Sequence, residues 1–474
     1  MALKGTAVIE LTNVKTGEKE TYRDENMITN ALNELLKPVG YLKGWGIHRN
    51  YDRLVDTLMG GMVLFDSNIE EDVDTVLPPA APAVVGYAAD DYVNDTTDIA
   101  LGSANLTETE QNDYSRYRKF VYDFTTSQAN GKINCIALTH INNAQYAGLG
   151  SSTNLQDVDT ARILMTNYGS CLSPFSFSAY YRLDGFATGA NERVFLLDAD
   201  EDTAYYFCII NGTTLRIVRR YANVKSAPVV VQHKSDKALI EQKDITISSI
   251  STSYGSWNYD HDDGCLYIVT SSEATKANGT GMSVVKVSIP DLTVTQYTLT
   301  NNTGTTLYTQ GDRWAFVHQG YVYIRSNSST TKIYKIKLED PTEYAAISGA
   351  LKTSSQRPIF GLNGRIYYEY GARYSGEGYL SIVNGSRNVI ETPSANQLIS
   401  RSYSYYTKDF VPIKGHPLTW LMVHYSSSGV GSQSSYTYEA IAICTYLATI
   451  NNLSRTIEKT SDKTMKITYT IQEV

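Results

Sequence analysis

Carboxylates gather at two points of the chain where chemistry could begin. The segment DADED occupies residues 198–202 and DHDDG occupies 260–264, each between stretches rich in strand-forming residues. Converging carboxylates can hold a calcium ion, but neither run has the ligand spacing of an EF-hand loop. Asp-rich turns also form for a local reason, because the side chain accepts hydrogen bonds from backbone N–H groups just ahead of it. Turn formation is the expected role of both runs, and no metal ligands are assigned. A glycosidase needs two opposed carboxyl groups, one with a raised pKa. Asp184, Asp198, Asp200, Asp263, Glu369 and Glu377 could meet at the centre of a propeller, yet no spacing pairs any two of them.

Aromatic side chains offer a second kind of chemistry. Tyr254, Trp257 and Tyr259 in SYGSWNYD, Tyr374 in ARYSGEGY, and Tyr403, Tyr405 and Tyr406 in RSYSYYTK fall in stretches that read as loops. Rings flanked by Ser, Asn and Asp can stack on the C–H faces of sugars while the polar groups read hydroxyls. These seven are the candidate glycan-binding residues, and packing between strands is the plain alternative for each. The chain holds 37 Tyr against 11 Phe, a bias that suits contact surfaces and exposed strands alike. His318 and His424 sit in or beside expected strands, where core packing is the default. GxSxG, HExxH, P-loop and GxGxxG motifs are all absent, so no catalytic residue and no cofactor is expected, and the chain reads as a binding protein that is not an enzyme.

The bulk properties narrow the class. A chain of 474 residues exceeds one ordinary core, so two or three domains are expected. A net charge of −8 without any run of Lys and Arg argues against a nucleic-acid partner. Five scattered cysteines, Cys135, Cys171, Cys208, Cys265 and Cys444, lack CxxC or Cys/His spacing and read as reduced, buried thiols. The opening MALKGTAVIEL has no apolar signal-peptide stretch, and no window reads as a membrane span, so neither ordinary secretion nor membrane insertion is expected.

Residues 6–23 read as a hairpin turning at Lys15-Thr16-Gly17. Asp24 is a plausible N-cap for ENMITNALNELL, where Met27, Ile28, Ala31, Leu32, Leu35 and Leu36 recur at helical spacing before Pro38. Residues 61–65 read as a strand, and YRKFVYDFTTS and KINCIALTHI read as a hairpin about Ala-Asn-Gly. At the chain's end Met465, Ile467, Tyr469 and Ile471 alternate with polar residues, the mark of a strand with one buried face.

Between these ends the texture changes to short strands separated by Gly, Ser, Asn and Asp. A loose repeat begins at Gly264 (GCLYIVTSS), Gly320 (GYVYIRSNS), Gly364 (GRIYYEYGA) and Gly415 (GHPLTWLMVHY), with a degenerate copy at 193–222. Four antiparallel strands in each unit match a β-propeller blade, and five blades fit the length; six blades and a long-looped β-sandwich are the alternatives.

The segments GTAVIELTNVKTGEKETYRDENMITNALNELL, FVYDFTTSQANGKINCIALTH and TYLATINNLSRTIEKTSDKTMKITYTI, with GGMVLFDSNIEED and LGSANLTETE, resemble structural tail proteins of bacteriophages that infect Gram-positive hosts. The resemblance covers residues 1–170 and 440–474. It implies a tail fibre, receptor-binding or baseplate-associated protein of a phage or phage-tail-like particle, assembled in the host cytoplasm and carried on the virion. It further implies a homo-oligomer, a trimer by preference, that contacts other tail proteins. The expected architecture is mainly β. A β-sandwich-like attachment domain with one N-terminal helix forms from 1–170 and 440–474, and a propeller-like receptor-binding domain of five blades fills 171–439. The expected function is adhesion to a host surface polysaccharide or teichoic-acid-like polymer. A tail-associated glycan depolymerase and a purely structural baseplate component are the alternatives.

Overall fold

The alternation at the end of the chain has partners on both sides. A computed structural model describes residues 3–36, 59–89, 93–94, 99–112, 117–139, 179–180, 195–200, 203–211, 213–221, 239–247, 255–289, 291–310, 313–328, 331–371, 378–391, 408–426, 435–442 and 446–473. Within them run 32 strands, β1–β32 in chain order, and one six-residue helix, α1 (Ala31–Leu36). No described helix is long and apolar enough to cross a membrane. The protein is mainly β and divides into two units, one comprising Met1–Lys37, Trp45–Cys171 and Ala442–Val474, the other Pro38–Gly44 and Leu172–Ile441.

The first unit is built on β1 (Leu3–Asn13), β2 (Lys19–Ile28), β3 (Gly61–Phe65), β4 (Val84–Ala89), β5 (Ser103–Ala104), β6 (Glu110–Asn112), β7 (Tyr117–Phe124), β8 (Gly131–Thr139), β31 (Thr449–Lys459) and β32 (Lys463–Glu473). Their order is β4-β3-β8-β31-β2-β1-β32-β7-β5, with β6 also on β7. β32 lies antiparallel between β1 and β7, so that Met465 faces Leu11 and Phe124, and Tyr469 faces Ala7 and Phe120. All six are buried. Period-2 burial on β1 and β32, continued by Phe120 and Phe124 of β7, makes one continuous apolar face, each large aliphatic side chain contributing about 1.5–3 kcal/mol. The two halves of the sheet join where Met27 and Ile28 pair with Ile450 and Thr449. At the far edge the Tyr87 N–H donates to the Ala100 carbonyl and the Gly102 N–H donates to that of Tyr87, nearly closing the sheet.

Two local expectations fail here for the same reason. The helical pattern predicts a helix from about residue 25, but β2 runs to Ile28 and α1 begins only at Ala31, where Thr29 Oγ1 accepts the Ala31 N–H at 3.2 Å. Pairing of β2 with both β1 and β31 overrides the helical spacing of Met27 and Ile28. Likewise β7 and β8 do not form a hairpin: β7 pairs with β32, β5 and β6, and β8 with β3 and β31. Residues 125–130 form a link between the two halves of the sheet instead. Lys459, buried in β31, pins it by donating to the Thr125 carbonyl and Asn130 Oδ1, both at 2.8 Å.

The second unit contains five four-stranded antiparallel groups; three are separate sheets, and the first and fifth join through one parallel bridge, Ala199 to Ile413, into an eight-stranded sheet. They are β10 (Phe195–Ala199), β11 (Thr203–Asn211), β12 (Thr214–Tyr221) and β13 (Leu239–Thr246); β14 (Gly255–Asp260), β15 (Cys265–Thr270), β17 (Gly281–Ser288) and β18 (Val294–Thr300); β20 (Ala315–His318), β21 (Tyr321–Arg325), β22 (Ile333–Lys337) and β23 (Tyr344–Ala346); and β24 (Arg357–Leu362), β25 (Arg365–Gly371), β26 (Gly378–Asn384) and β27 (Val389–Glu391). In the fifth, β28 (Lys408–Ile413), β29 (His416–Ser426) and β30 (Ser435–Ala442) are completed by β9 (Ala179–Tyr180) from the unit's beginning. A small pair, β16 (Thr275–Lys276) and β19 (Leu307–Tyr308), bridges the links around the second sheet.

First strands adjoin: β14 lies by β20, β20 by β24, β24 by β28 and β28 by β10. The Tyr259 hydroxyl of β14 donates to Asp198 Oδ2 of β10 at 3.4 Å, completing the ring. This is a five-bladed β-propeller, with β9 closing the last blade. Gly264, Gly320, Gly364 and Gly415 stand at the first turn of blades two to five, all with φ between 68° and 81°. That left-handed backbone favours glycine, and it explains the repeat seen in sequence.

Candidate functional site

Alternate residues of β14 point at the neighbouring blade. Asn258 donates to the Val317 carbonyl and accepts the Val317 N–H, both at 2.8 Å, while Ser256 Oγ donates to the Ala315 carbonyl at 2.7 Å. Asp260 is the last rung: its Oδ2 accepts the Gln319 N–H at 2.8 Å. The inner strands of blades two and three share no backbone ladder, so these three buried side chains supply one.

Asp260 also accepts from His318, Nδ1 to Oδ1 at 2.9 Å, with both side chains buried. The Gly364 N–H of the fourth blade donates to His318 Nε2 at 3.1 Å. An imidazole that gives a proton at Nδ1 and accepts one at Nε2 is neutral, so the ring links three blades through one tautomer. Burial works against the Asp260 carboxylate, yet the His318 bond and the Gln319 and Asp262 N–H groups hold its pKa below the usual carboxylate range. Burial likewise draws His318 down, but the Asp260 bond and the charges of Asp260, Asp262 and Asp263 turn its net shift upward.

Asp260, Asp262 and His318 bring possible ligand atoms within 4.8 Å of one another. The Nε2 lone pair that a cation would use faces Gly364 N–H, and Asp262 Oδ2 is 3.6 Å from Nε2. The donors therefore fit a staple between blades better than a metal ligand set.

The sequence-derived carboxylates are dispersed into local roles. Asp200 Oδ1 accepts the Thr203 N–H at 2.6 Å, and Asp263 accepts the Tyr267 hydroxyl at 2.5 Å and Lys286 Nζ at 3.1 Å. Asp198, buried at the end of β10, meets Lys414 Nζ at 2.5 Å as well as Tyr259. Asp184 and Glu377 lie outside the described residues, as does the Glu369 side chain.

Of the seven aromatic candidates, Trp257 and Tyr259 lie within β14 and not in a loop, which corrects the sequence reading of their position. Tyr259 is 7% exposed and its hydroxyl is committed to Asp198. Trp257 is half-buried, edge-on to Phe207 at 4.8 Å and beneath Arg313 at 5.2 Å. Both pack between blades. Tyr254, Tyr374, Tyr403, Tyr405 and Tyr406 lie outside the described residues. Of the thiols, Cys135 and Cys265 are free and buried, and burial pushes them up to about 12 and about 11.

At the other end of the inner strands, cations collect that no sequence run announced. Arg325 at the end of β21 lies over the Tyr308 ring at 3.7 Å, and Arg357 opens β24 on the next blade. One end of the described propeller thus carries Asp198, Asp260, Asp262 and Asp263, and the other Arg313, Arg325 and Arg357.

No protein-family model and no curated protein matches the chain. Among solved structures it is similar to an exo-β-1,3-galactanase from Phanerochaete chrysosporium (12% identity, TM-score 0.31, covering 52% of this chain). It is also similar to a polysaccharide lyase (9%, 0.29, covering 81% of this chain and 88% of that one). A third is the β-propeller domain of the trilobed protease from Pyrococcus furiosus, described as having an open velcro topology (9%, 0.25, covering 74% and 85%). The chain spans 59% of the galactanase. The expectation that the chain is not an enzyme is corrected: missing motifs exclude no activity, and the similar structures include a galactanase and a polysaccharide lyase. At such identities the likeness concerns fold class, and no active-site residue transfers.

Proposed function

We propose that this protein belongs to the tail of a bacteriophage or phage-tail-like particle of a Gram-positive host, and that its propeller engages a surface glycan or wall polymer. The observation that carries the reading is the path of the chain. The segments with tail-protein resemblance, β1, β7, β8, β31 and β32, complete one sheet from both ends of the sequence, and the propeller strands β9 to β30 lie between them in the chain. An insertion held at both ends suits a recognition module, because its sequence can vary while the carrier sheet keeps its register. Copies on one particle would add weak contacts through effective concentration.

The test uses the purified full chain on intact host walls, with and without stripping of wall polymers, alongside a phage adsorption assay and a measurement of released reducing ends. Retention on walls and blocked adsorption are expected. No retention, with adsorption unaffected, overturns the reading. Reducing ends released in step with binding would identify the propeller as a depolymerase.

A further inference from the structure

One bond of His318 depends on the absence of a proton. Its Nε2 accepts the Gly364 N–H, at 3.1 Å, only while that nitrogen carries no hydrogen of its own. Gly364 lies in the two-residue loop Asn363-Gly364 between β24 and β25, at φ of 47° and 76°, and its carbonyl accepts the Gly385 N–H at 2.8 Å. A proton added at Nε2 sets two N–H groups against each other. The ring has little room to swing aside: Asp260 Oδ1 holds Nδ1 at 2.9 Å, and Gly361 packs so close that a Cβ there would lie 2.9 Å from Nδ1. Asp262 Oδ2, 3.6 Å from Nε2, is an acceptor for the new proton on blade two. The charges that bear on the ring come from that blade: Asp260, Asp262 and Asp263, the last also paired with Lys286 Nζ at 3.1 Å. Blade four presents Gly361 and Gly364, and the adjoining Arg365 is engaged by Glu391 at 3.1 Å. Within blade three, Tyr321 lies opposite His318 with its hydroxyl on Glu343 at 3.1 Å, and burial pushes the Tyr323 phenol up. Carboxylates therefore favour the imidazolium, while burial and the Gly364 N–H favour the neutral ring.

We propose that His318 is a proton-operated joint: the neutral ring ties the first turn of blade four to blade three, and the imidazolium releases that turn and donates to Asp262 of blade two instead. The proton comes from solvent on the side of Asp262, whose side chain is 31% exposed. The joint goes beyond the adhesion reading and does not depend on what the propeller binds. Because the ring's pKa stands above its unfolded value, protonation favours the folded chain as a whole. That gain is complete below the unfolded value and is lost as pH rises through the folded one, so acid gives up the blade-four contact without unfolding the propeller through this residue.

The experiment follows two NMR signals of the full chain, labelled at histidine and glycine nitrogens, between about pH 5 and 9. One is the His318 ring, assigned from the His318→Gln and Asp262→Asn spectra. The other is hydrogen exchange of the Gly364 amide, corrected for the intrinsic pH dependence of exchange. Gly364 exchange should quicken about tenfold as Nε2 takes its proton, with the same midpoint as the ring. Asp262→Asn should carry both midpoints to lower pH together, and His318→Gln should show no exchange midpoint. Should His318→Gln not fold, the paired shift in Asp262→Asn decides. The joint is overturned by a ring that titrates while Gly364 stays protected, or by a ring that keeps its neutral shifts until the propeller unfolds. The same exchange midpoint in folded His318→Gln, or midpoints left in place by Asp262→Asn, overturns it equally.

Discussion

His318 and Asp260 close the space between two propeller blades, Nδ1 donating to Oδ1 across 2.9 Å at the ends of β20 and β14. Neither side chain is more than 1% exposed, and the far ring nitrogen accepts from a third blade. An interaction this buried acts mainly through what is left behind when one partner goes.

Asp260→Ala removes the acceptor of His318 Nδ1–H and of the Gln319 N–H. We expect a loss of about 3–5 kcal/mol in denaturant unfolding of the propeller. Asp260→Asn should lose less. Because the Asp260 pKa is held below its unfolded value, its contribution is complete above the ordinary carboxylate range and disappears as pH falls through the folded value. The Asn variant should therefore show a flatter acid limb in stability against pH.

Gly361 and Gly320 make a contrast between crowding and backbone strain. A Cβ at Gly361 would lie 2.9 Å from both His318 Nδ1 and Phe316 Cε1, on a ring held at both nitrogens. Gly320 has open space around it but a φ of +77°. Gly361→Ala should cost about 1–3 kcal/mol through overpacking and Gly320→Ala about 1–2 kcal/mol through strain. Only Gly361→Ala should shift the His318 imidazole resonances in NMR.

Lys459 predicts an alkaline effect in the other unit. Burial pulls its pKa down to about 8, against about 10.4 in an unfolded chain. Between those values the unfolded state binds more protons, so stability should rise with pH from about 8, by at most about 1.4 kcal/mol per unit. Lys459→Met should abolish the rise when unfolding is followed between pH 8 and 9.5, below the titration of most tyrosines.

Tyr469→Phe tests the joint between the halves of the terminal sheet. The hydroxyl donates to Thr449 Oγ1 at 2.7 Å and also receives the Asn26 side-chain amide. Burial is the chief cause that pushes the phenol's pKa above its ordinary value. Thermal unfolding should show a loss of about 1–2 kcal/mol, and adding Thr449→Val should cost less than the sum of the two single changes.

Some of this was written locally in the residues. Alternation of Met465, Ile467, Tyr469 and Ile471 marked a strand with one buried face, and Gly264, Gly320, Gly364 and Gly415 marked a recurring turn, because side-chain period and positive φ are properties of a few consecutive residues. Acidic turns were legible for the same reason, as Asp200 shows by accepting the N–H of Thr203. Tertiary structure alone decided the partners. Met27 and Ile28 carry helical spacing but become strand because β31, more than 400 residues later, pairs with them. Trp257 and Tyr259 resemble exposed sugar platforms until β10, β11 and the Arg313 side chain are packed around them. His318 looks like an ordinary core histidine. It acquires its role from groups 58 and 46 residues away, brought close when the blades close into a ring. Local chemistry sets the strand and the turn, whereas which strands adjoin depends on burying every apolar face at once, and that is a property of the whole chain.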